Sequence, residues 1–178
     1  MVIIFIWAFL EAIVFFIIPD VALTYYAIKQ KSKFKLLCAN LIAIIGAVLG
    51  GIIVYIISIQ HLNFVEMIMI KIPGIHPYMI EHVIHSLEDK GVLGLIEAPL
   101  FGVPYKLYAM MSYHDGISFI VFILVSFIAR LLRFILTSYL AYVLSHIVFK
   151  NVNRYIKILL WLIVWIIVYW VYFSIHAF

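Results

Sequence analysis

The sequence has few charged residues and a single cysteine, and both shortages exclude large classes of protein. Charged side chains make up 11% of the 178 residues, against about 25% in a typical soluble domain, whereas hydrophobic residues make up 68%. So few polar side chains cannot cover a water-facing surface, which excludes an ordinary soluble enzyme and a disordered chain. One cysteine, Cys38, allows no disulfide within the chain. The composition therefore predicts an all-α, polytopic integral membrane protein with a single membrane domain over residues 1–178.

Sequence patterns of catalysis and metal binding are also missing. The chain has no GxSxG, no HExxH, no Walker loop and no Cys/His zinc pattern. His82 and His85 are three residues apart, but without a third ligand at a fixed spacing they are more typical of a solvated helix face. We therefore predict no enzyme activity, no cofactor and no metal site. The net charge of +4 is typical of loops that orient a membrane protein, so we expect no nucleic-acid partner.

Three stretches meet the requirement of about 20 mostly apolar residues for a spanning helix. Residues 36–57 carry no charge, and residues 158–175 are rich in the aromatic side chains that anchor helices at lipid headgroups. Residues 117–149 are longer than a bilayer core requires and contain two arginines. A fourth stretch, 77–90, has the spacing of an amphipathic helix, which we expect to lie at the outer interface.

Two further apolar stretches, residues 2–28 and 92–111, are interrupted. The hairpin-breaking residues in them are Pro19, Pro99, Gly102 and Pro104. Proline removes a backbone donor, and broken backbone survives in a membrane only when it is buried in protein or lines a wet cavity. We predict a broken or re-entrant helical hairpin in each stretch, with one kinked spanning helix as the alternative. Both stretches contain Glu-Ala-x-x-Phe followed by a proline, and paired interruptions indicate an inverted-repeat transporter.

The basic residues predict how the chain crosses the membrane. Four lysines lie from Lys29 to Lys35, and three basic residues lie from Lys150 to Lys157. The positive-inside rule places both loops in the cytoplasm. The later interrupted stretch must then enter and leave on the outer side, as a re-entrant hairpin does. A hairpin in the first stretch enters from the cytoplasm, so the two hairpins would point at each other from opposite faces.

Six ionisable residues fall at membrane depth, where each charge costs roughly 2.5–3.5 kcal/mol on insertion scales. They are Glu11, Asp20, Glu97, Lys106, Arg130 and Arg133. Three are acids and three are bases, so they can pair with one another or line a wet cavity. In the alternative interpretation the pairs only hold the hairpins against the helices, with the arginines bound to Glu11 and Glu97.

The two arginines are the strongest candidates for a binding site. Arg130 and Arg133 are three residues apart and share one helix face, which suits a phosphate group. We predict that both arginines, together with Lys106, bind a phosphate. The three acids would pair with these bases in one state and relay protons when a ligand takes their place.

Two glycines in the first spanning stretch indicate a close helix contact. Gly46 and Gly50 form a small-xxx-small face, which allows two helices to approach closely. We expect this face to pack against a hairpin, and the alternative is the seam of a homodimer.

Four groups of residues occur in a recognisable order along the chain. They are Glu11 through Pro19-Asp20, Gly46 through Gly51 with Tyr55, Lys90-Gly91 leading into Gly102 through Ala109, and Ala129 through Phe134. In this order they resemble the DedA/VTT superfamily of SNARE-associated Golgi-type membrane proteins, and most of all a small divergent bacterial branch with a Gly-Val-Pro-Tyr-Lys segment. The usual Arg-x-x-Pro-Gly-x-Arg-like stretch of the second hairpin is replaced here by one with Pro99, Pro104 and Lys106.

The resemblance implies two opposed re-entrant hairpins, a bacterial cytoplasmic membrane and movement of lipids such as undecaprenyl phosphate across it. The residues carried over by the resemblance are Glu11, Asp20, Arg130 and Arg133. We therefore expect a flippase-like transporter that moves an anionic polyprenyl phosphate or phospholipid between leaflets, coupled to protons, with membrane lipids as its partners. The alternatives are a transporter of a small solute or ion, and a membrane scaffold that transports nothing.

Overall fold

The computed structural model describes residues 1–97 and 102–175, and every regular element in these two ranges is helical. The helices are α1 (Val2–Ile13), α2 (Asp20–Lys29), α3 (Lys33–Met69), α4 (Pro77–Lys90), α5 (Val92–Glu97), α6 (Tyr105–Met111), α7 (Phe119–Val143), which continues into a π-helical turn (Leu144–Val148), and α8 (Arg154–Ile175). The predicted all-helical fold class is therefore confirmed for the described residues.

Within the described ranges, three helices are long and apolar enough to cross a membrane, namely α3, α7 with its π-helical turn, and α8. They contain almost all of the three stretches predicted to span. Helix α3 continues well past the predicted end at Ile57, because no glycine or proline follows until Pro73 and polar side chains alone do not end a helix. A single non-helical residue, His61, marks a kink in this extension.

Each interrupted stretch contains two short helices among its described residues. The chain between α1 and α2 is not helical, and Pro19 is the N-cap of α2. The indole Nε1 of Trp7 in α1 donates to the carbonyl of Ile17 in this segment at 2.9 Å, so the segment contacts α1. In the second stretch Gly102 has φ +80°, a conformation that favours glycine, and Pro104 is the N-cap of α6. Pro99 lies outside the described residues.

Helix α4 covers the range that the amphipathic pattern indicated. Proline at its first position and Gly91 after its last residue, with φ +55°, delimit it. Its buried face consists of Met79, Ile80, Val83 and Leu87. This face packs against α5 and α6, so the apolar side of the helix is covered by protein. Its position at an outer membrane interface stays a prediction.

Three glycines of α3, Gly46, Gly50 and Gly51, contact both interrupted stretches. A Cβ atom at Gly46 would lie 2.6 Å from the Phe5 carbonyl oxygen, and one at Gly50 would lie 2.5 Å from that of Phe9. The small-residue face therefore packs against α1, which belongs to the first interrupted stretch. The adjacent Gly51 contacts the ring of Tyr105 in α6. Neighbouring residues of α3 thus contact the first and the second interrupted stretch.

Large apolar side chains cover the outside of the bundle. Helix α8 has no buried residue, and α7 exposes Leu132, Leu136 and Leu140 along one face. An exposed apolar surface of this extent marks contact with a membrane or a protein partner. The two basic loops lie together at one end of the molecule, where Lys29, Lys31, Lys150 and Lys157 line the same pocket.

Candidate functional site

Two buried ion pairs connect the first interrupted stretch to α7. Arg130 Nη2 donates to Glu11 Oε2 at 3.1 Å, and Arg133 Nε donates to Asp20 Oδ2 at 3.1 Å. The Arg130 and Glu11 side chains are 1% and 5% exposed, and that of Asp20 is 1% exposed. A charge at such depth is stable only with a partner, because an isolated one bears the full cost of desolvation. Of the three acids expected to pair with the bases, Glu11 and Asp20 do so in this structure.

The helix positions explain why the two arginines hold different acids. Arg130 and Arg133 lie on one face of α7, whereas Glu11 is near the end of α1 and Asp20 begins α2. One arginine therefore holds the helix before the break, and the other holds the helix after it. Asp20 also gains from the positive end of the α2 dipole.

Thr137 completes the environment of Asp20 and was not predicted. Its hydroxyl donates to Asp20 Oδ1 at 2.7 Å, so both carboxylate oxygens of Asp20 accept a hydrogen bond. The signal in the sequence is that Thr137 follows Arg133 by one helical turn and shares its face.

Lys106 links the two interrupted stretches directly. Its Nζ donates to the carbonyl oxygen of Phe15 at 2.7 Å, and the residue is 2% exposed. Phe15 lies in the non-helical segment between α1 and α2, where carbonyl groups lose their helical partners. Lys106, at the start of α6, therefore satisfies the Phe15 carbonyl, which the interruption between α1 and α2 leaves without a helical partner. Its predicted contact with a phosphate stays a prediction.

A cavity of about 170 Å³ lies where these elements meet. It is lined by four of the predicted site residues, Glu11, Lys106, Arg130 and Arg133, and by the break residues Gly102 and Pro104. Asp20 lies behind Arg133 and is not among the lining residues. The structure thus brings three cationic side chains and one carboxylate to the surface of a single cavity.

Arg130 has hydrogen-bonding capacity that its protein partners do not use. Its guanidinium lies over the ring of Tyr105, with 4.2 Å between Cζ and the ring centroid, and beside the ring of Phe134 at 5.5 Å. Among the described residues, its buried Nε has no hydrogen-bond partner. Buried donors are normally satisfied, so Arg130 gains a further hydrogen bond if its side chain moves to bring this atom to an acceptor. Tyr105 was missed from the sequence because aromatic residues are common throughout the chain.

Helix α8 forms one side of the cavity. Hydroxyl and indole groups of its aromatic side chains bind the first interrupted stretch. Tyr169 Oη accepts from the backbone nitrogen of Ile18 at 2.9 Å. The indoles of Trp161 and Trp165 donate to Thr24 Oγ1 at 2.9 and 3.1 Å. The indole nitrogens of Trp161 and Trp165 thus bind the protein, whereas Trp170 is 70% exposed, and anchoring of α8 at lipid headgroups stays a prediction. No described residue of α8 is buried, and these bonds act together with ring contacts such as that between Phe16 and Phe173.

Glu97 lies apart from the site, so its expected pairing with the arginines is wrong. Its Oε2 accepts from Lys90 Nζ at 2.6 Å, and its side chain is 41% exposed. The reason is local, because α4 and α5 are joined through Gly91 and bring the last residue of one beside the last residue of the other. The hydrogen bond from Lys90 to Glu97 raises the pKa of Lys90. Asp20 takes the place at an arginine that we had assigned to Glu97.

The described residues contain no group of three or more His, Cys, Asp or Glu side chains that could hold a metal ion. His85 Nδ1 instead lies 3.3 Å from Glu88 on the exposed side of α4.

The chain is similar to a Haemophilus influenzae protein described as uncharacterized. The two sequences are 34% identical over 135 residues, which is 75% of this chain and 68% of the relative. No family model matches the chain. No solved structure matches it either.

Proposed function

We propose that the chain, which belongs to the same family as the Haemophilus influenzae protein, moves a phosphate-bearing anionic lipid between the leaflets of a membrane. The observation that carries this proposal is that Arg130, Arg133 and Lys106 line one cavity next to the non-helical residues Gly102 and Pro104. Ionisable residues at membrane depth typically mark the path of a substrate or ion. Here they surround a space of about 170 Å³, a size that suits a headgroup phosphate with the lipid tails left outside.

The charge balance of the cavity favours an anionic ligand. Its described lining includes three basic side chains and one carboxylate, Glu11. An excess of positive charge in a low-dielectric wall concentrates anions. Guanidinium groups match the geometry of phosphate oxygens better than ammonium groups do. Displacement of Glu11 would free the Nη2 of Arg130 for such a contact.

Exchange of partners at Arg130 provides a mechanism that couples the lipid to protons. A phosphate that binds Arg130 displaces Glu11, and the displaced carboxylate is left in a buried position. Burial without a partner disfavours its charged form, so Glu11 takes up a proton. When the phosphate leaves, the ion pair forms again and the proton is released. Lipid movement in one direction would therefore carry a proton.

We further propose that the two interrupted stretches are opposed re-entrant hairpins, as in the DedA/VTT proteins that the sequence resembles. Helix α1 runs beside α3 from Gly46 to Gly50. Helix α2 then runs along α7 and its π-helical turn, where Asp20 pairs with Arg133 and the Ala27 carbonyl contacts His146. The contact from Lys106 to Phe15 joins the two breaks. Opposed hairpins that meet at a charged centre support alternating access from the two sides of a membrane.

Transport in proteoliposomes tests the proposal. A labelled polyprenyl phosphate is incorporated with the wild-type protein or with folded Glu11→Gln and Arg133→Ala variants, and its movement between leaflets is measured. Glu97→Gln is the matched control, because it removes the same charge from an exposed carboxylate outside the cavity. We expect translocation by the wild type and the control and its loss in the two cavity variants.

Two results would contradict the proposal. Equal translocation by all four proteins would exclude the charged cavity as the path. No translocation of either a polyprenyl phosphate or phosphatidylglycerol by the wild type would favour the small-solute or scaffold alternatives.

A further inference from the structure

A second cavity, separate from the buried ion pairs, lies at the end of the molecule where both basic loops meet. Its volume is about 460 Å³, and it is bounded by the end of α2, the π-helical turn after α7 and the start of α8. Five basic side chains line it: Lys29, Lys31, Lys150, Arg154 and Lys157. Its described lining includes no acidic residue. Loops far apart in the sequence therefore contribute cations to one concave surface.

The floor of this basic pocket has an unsatisfied polar atom. Ser145 is 4% exposed, and its Oγ has no hydrogen-bond partner among the described residues. The Ser145 carbonyl accepts from Lys157 Nζ at 2.6 Å, which holds that ammonium group at the pocket. Ser145 lies in the π-helical turn, a local widening that is frequent at functional sites. A hydroxyl and an ammonium group held side by side in a basic pocket favour a bound oxyanion.

The surroundings of the pocket indicate that this oxyanion belongs to a lipid. The π-helical turn exposes Ile147 and Val148, each 59% exposed, next to the pocket. On the other side, α8 exposes Ile156 and Leu159 within its first turns. A soluble phosphate would use the basic residues alone. An amphiphile uses the basic pocket for its headgroup and the adjoining apolar side chains for its acyl chains.

We infer that this basic pocket binds the headgroup of an anionic phospholipid at the membrane surface, as a site distinct from the cavity at Arg130. Lys150 and Arg154 face the headgroup from the loop and the start of α8, while Lys157 and Ser145 form the floor. Occupation of this site fixes the start of α8 against α2 and the π-helical turn.

Lipid binding to the purified full-length chain in a neutral detergent tests this inference, with native mass spectrometry as the readout. Phosphatidylglycerol is titrated against the wild type, Lys150→Gln/Arg154→Gln and Lys33→Gln/Lys35→Gln. The last variant is the matched control, because it removes two exposed lysines of the same basic end that do not line the pocket. Phosphatidylcholine and inorganic phosphate are titrated in parallel.

At about 1 kcal/mol per basic side chain near a lipid surface, we expect the pocket variant to bind phosphatidylglycerol about thirtyfold more weakly than the wild type. The control should lose less than about threefold, and phosphatidylcholine should bind weakly to all three proteins. If the double variant does not fold, Lys150→Gln alone should weaken binding by about fivefold.

Equal losses in the pocket and control variants would overturn the inference, because the effect would then follow net charge alone. Displacement of phosphatidylglycerol by inorganic phosphate at a matching concentration would also overturn it. That result would assign the pocket to a free phosphate.

Discussion

The two buried ion pairs differ at the level of single atoms, and this difference assigns them different roles. Both oxygens of Asp20 accept hydrogen bonds, from Arg133 and Thr137, and Asp20 does not line the cavity, so this carboxylate stays bound while Arg133 faces a ligand. In the other pair, Arg130 and Glu11 both line the cavity, and their contact is the one from Arg130 Nη2 to Glu11 Oε2. We therefore expect the pair of Arg130 and Glu11 to exchange partners during transport and the pair of Arg133 and Asp20 to hold α2 in place.

Replacement of Asp20 tests the structural role of its ion pair with Arg133. Asp20→Asn removes the carboxylate and leaves Arg133 with a partly unpaired charge, so the free energy of unfolding should fall by about 3 kcal/mol. Denaturant unfolding in detergent, followed by tryptophan fluorescence, measures this change. Glu97→Gln removes an exposed charge and should lower the free energy by less than about 1 kcal/mol. Equal small effects in both variants would contradict the assignment.

Thr137 provides a finer test of the same site. Thr137→Val removes the hydroxyl that donates to Asp20 at almost constant volume, whereas Thr137→Ser retains it. A hydrogen bond to a charged group contributes about 1.5–3 kcal/mol, so the valine variant should lose stability in that range. The serine variant should stay within about 1 kcal/mol of the wild type. A serine variant as unstable as the valine variant would show that the methyl group, and not the hydroxyl, matters.

At the scale of helices, the helix ends that proline or glycine determines could be predicted from the sequence. The bounds of α4 could be predicted because Pro77 and Gly91 act on the backbone where they stand. The break between α1 and α2 could be predicted for the same reason from Pro19. The extension of α3 beyond Ile57 could not, because polar residues permit a helix as readily as they permit a loop. Local signals thus located the ends that proline or glycine sets.

The ion-pair partners of the buried charged residues could not be predicted from the sequence. Hydropathy placed Asp20 and Glu97 at a similar depth, but depth says nothing about which side of the bundle a residue faces. The turn at Gly91 brings Glu97 to Lys90, and the break after α1 brings Asp20 to Arg133. The set of charged residues could therefore be predicted, whereas their pairing depends on how the short helices turn.

Close packing of α1 on α3 depends on the absence of a side chain at Gly50. Gly50→Ala places a Cβ atom 2.5 Å from the Phe9 carbonyl oxygen and 2.8 Å from the Ala12 Cβ, so α1 must move away. We expect the free energy of unfolding to fall by about 1–3 kcal/mol, since overpacking against backbone cannot relax easily. Leu49→Ala changes the next residue, which is exposed, and should cost less. A Gly50→Ala variant as stable as the wild type would contradict the packing of α1 against α3.

At the scale of the whole molecule, the attachment of α8 sets how the cavity communicates with its surroundings. The other long helices bury residues in the bundle, whereas α8 buries none. Its bonds to Ile18 and Thr24 connect it to the segment that carries Asp20. A lipid whose phosphate enters the cavity must leave its tails in the membrane, and α8 forms a side of the cavity with no buried residue of its own. We therefore expect movement of α8 to limit the rate of transport.

Tyr169→Phe tests that expectation, because it removes the oxygen that accepts from the Ile18 backbone nitrogen and keeps the ring. Loss of one hydrogen bond of about 1 kcal/mol favours the detached helix by about fivefold, so lipid translocation in proteoliposomes should accelerate by up to that factor. Tyr155→Phe makes the same change at a residue that is 82% exposed and should leave the rate unchanged. A folded Tyr169→Phe variant that transports at the wild-type rate would show that α8 does not control access. A slower variant would show that the hydroxyl serves the lipid path itself.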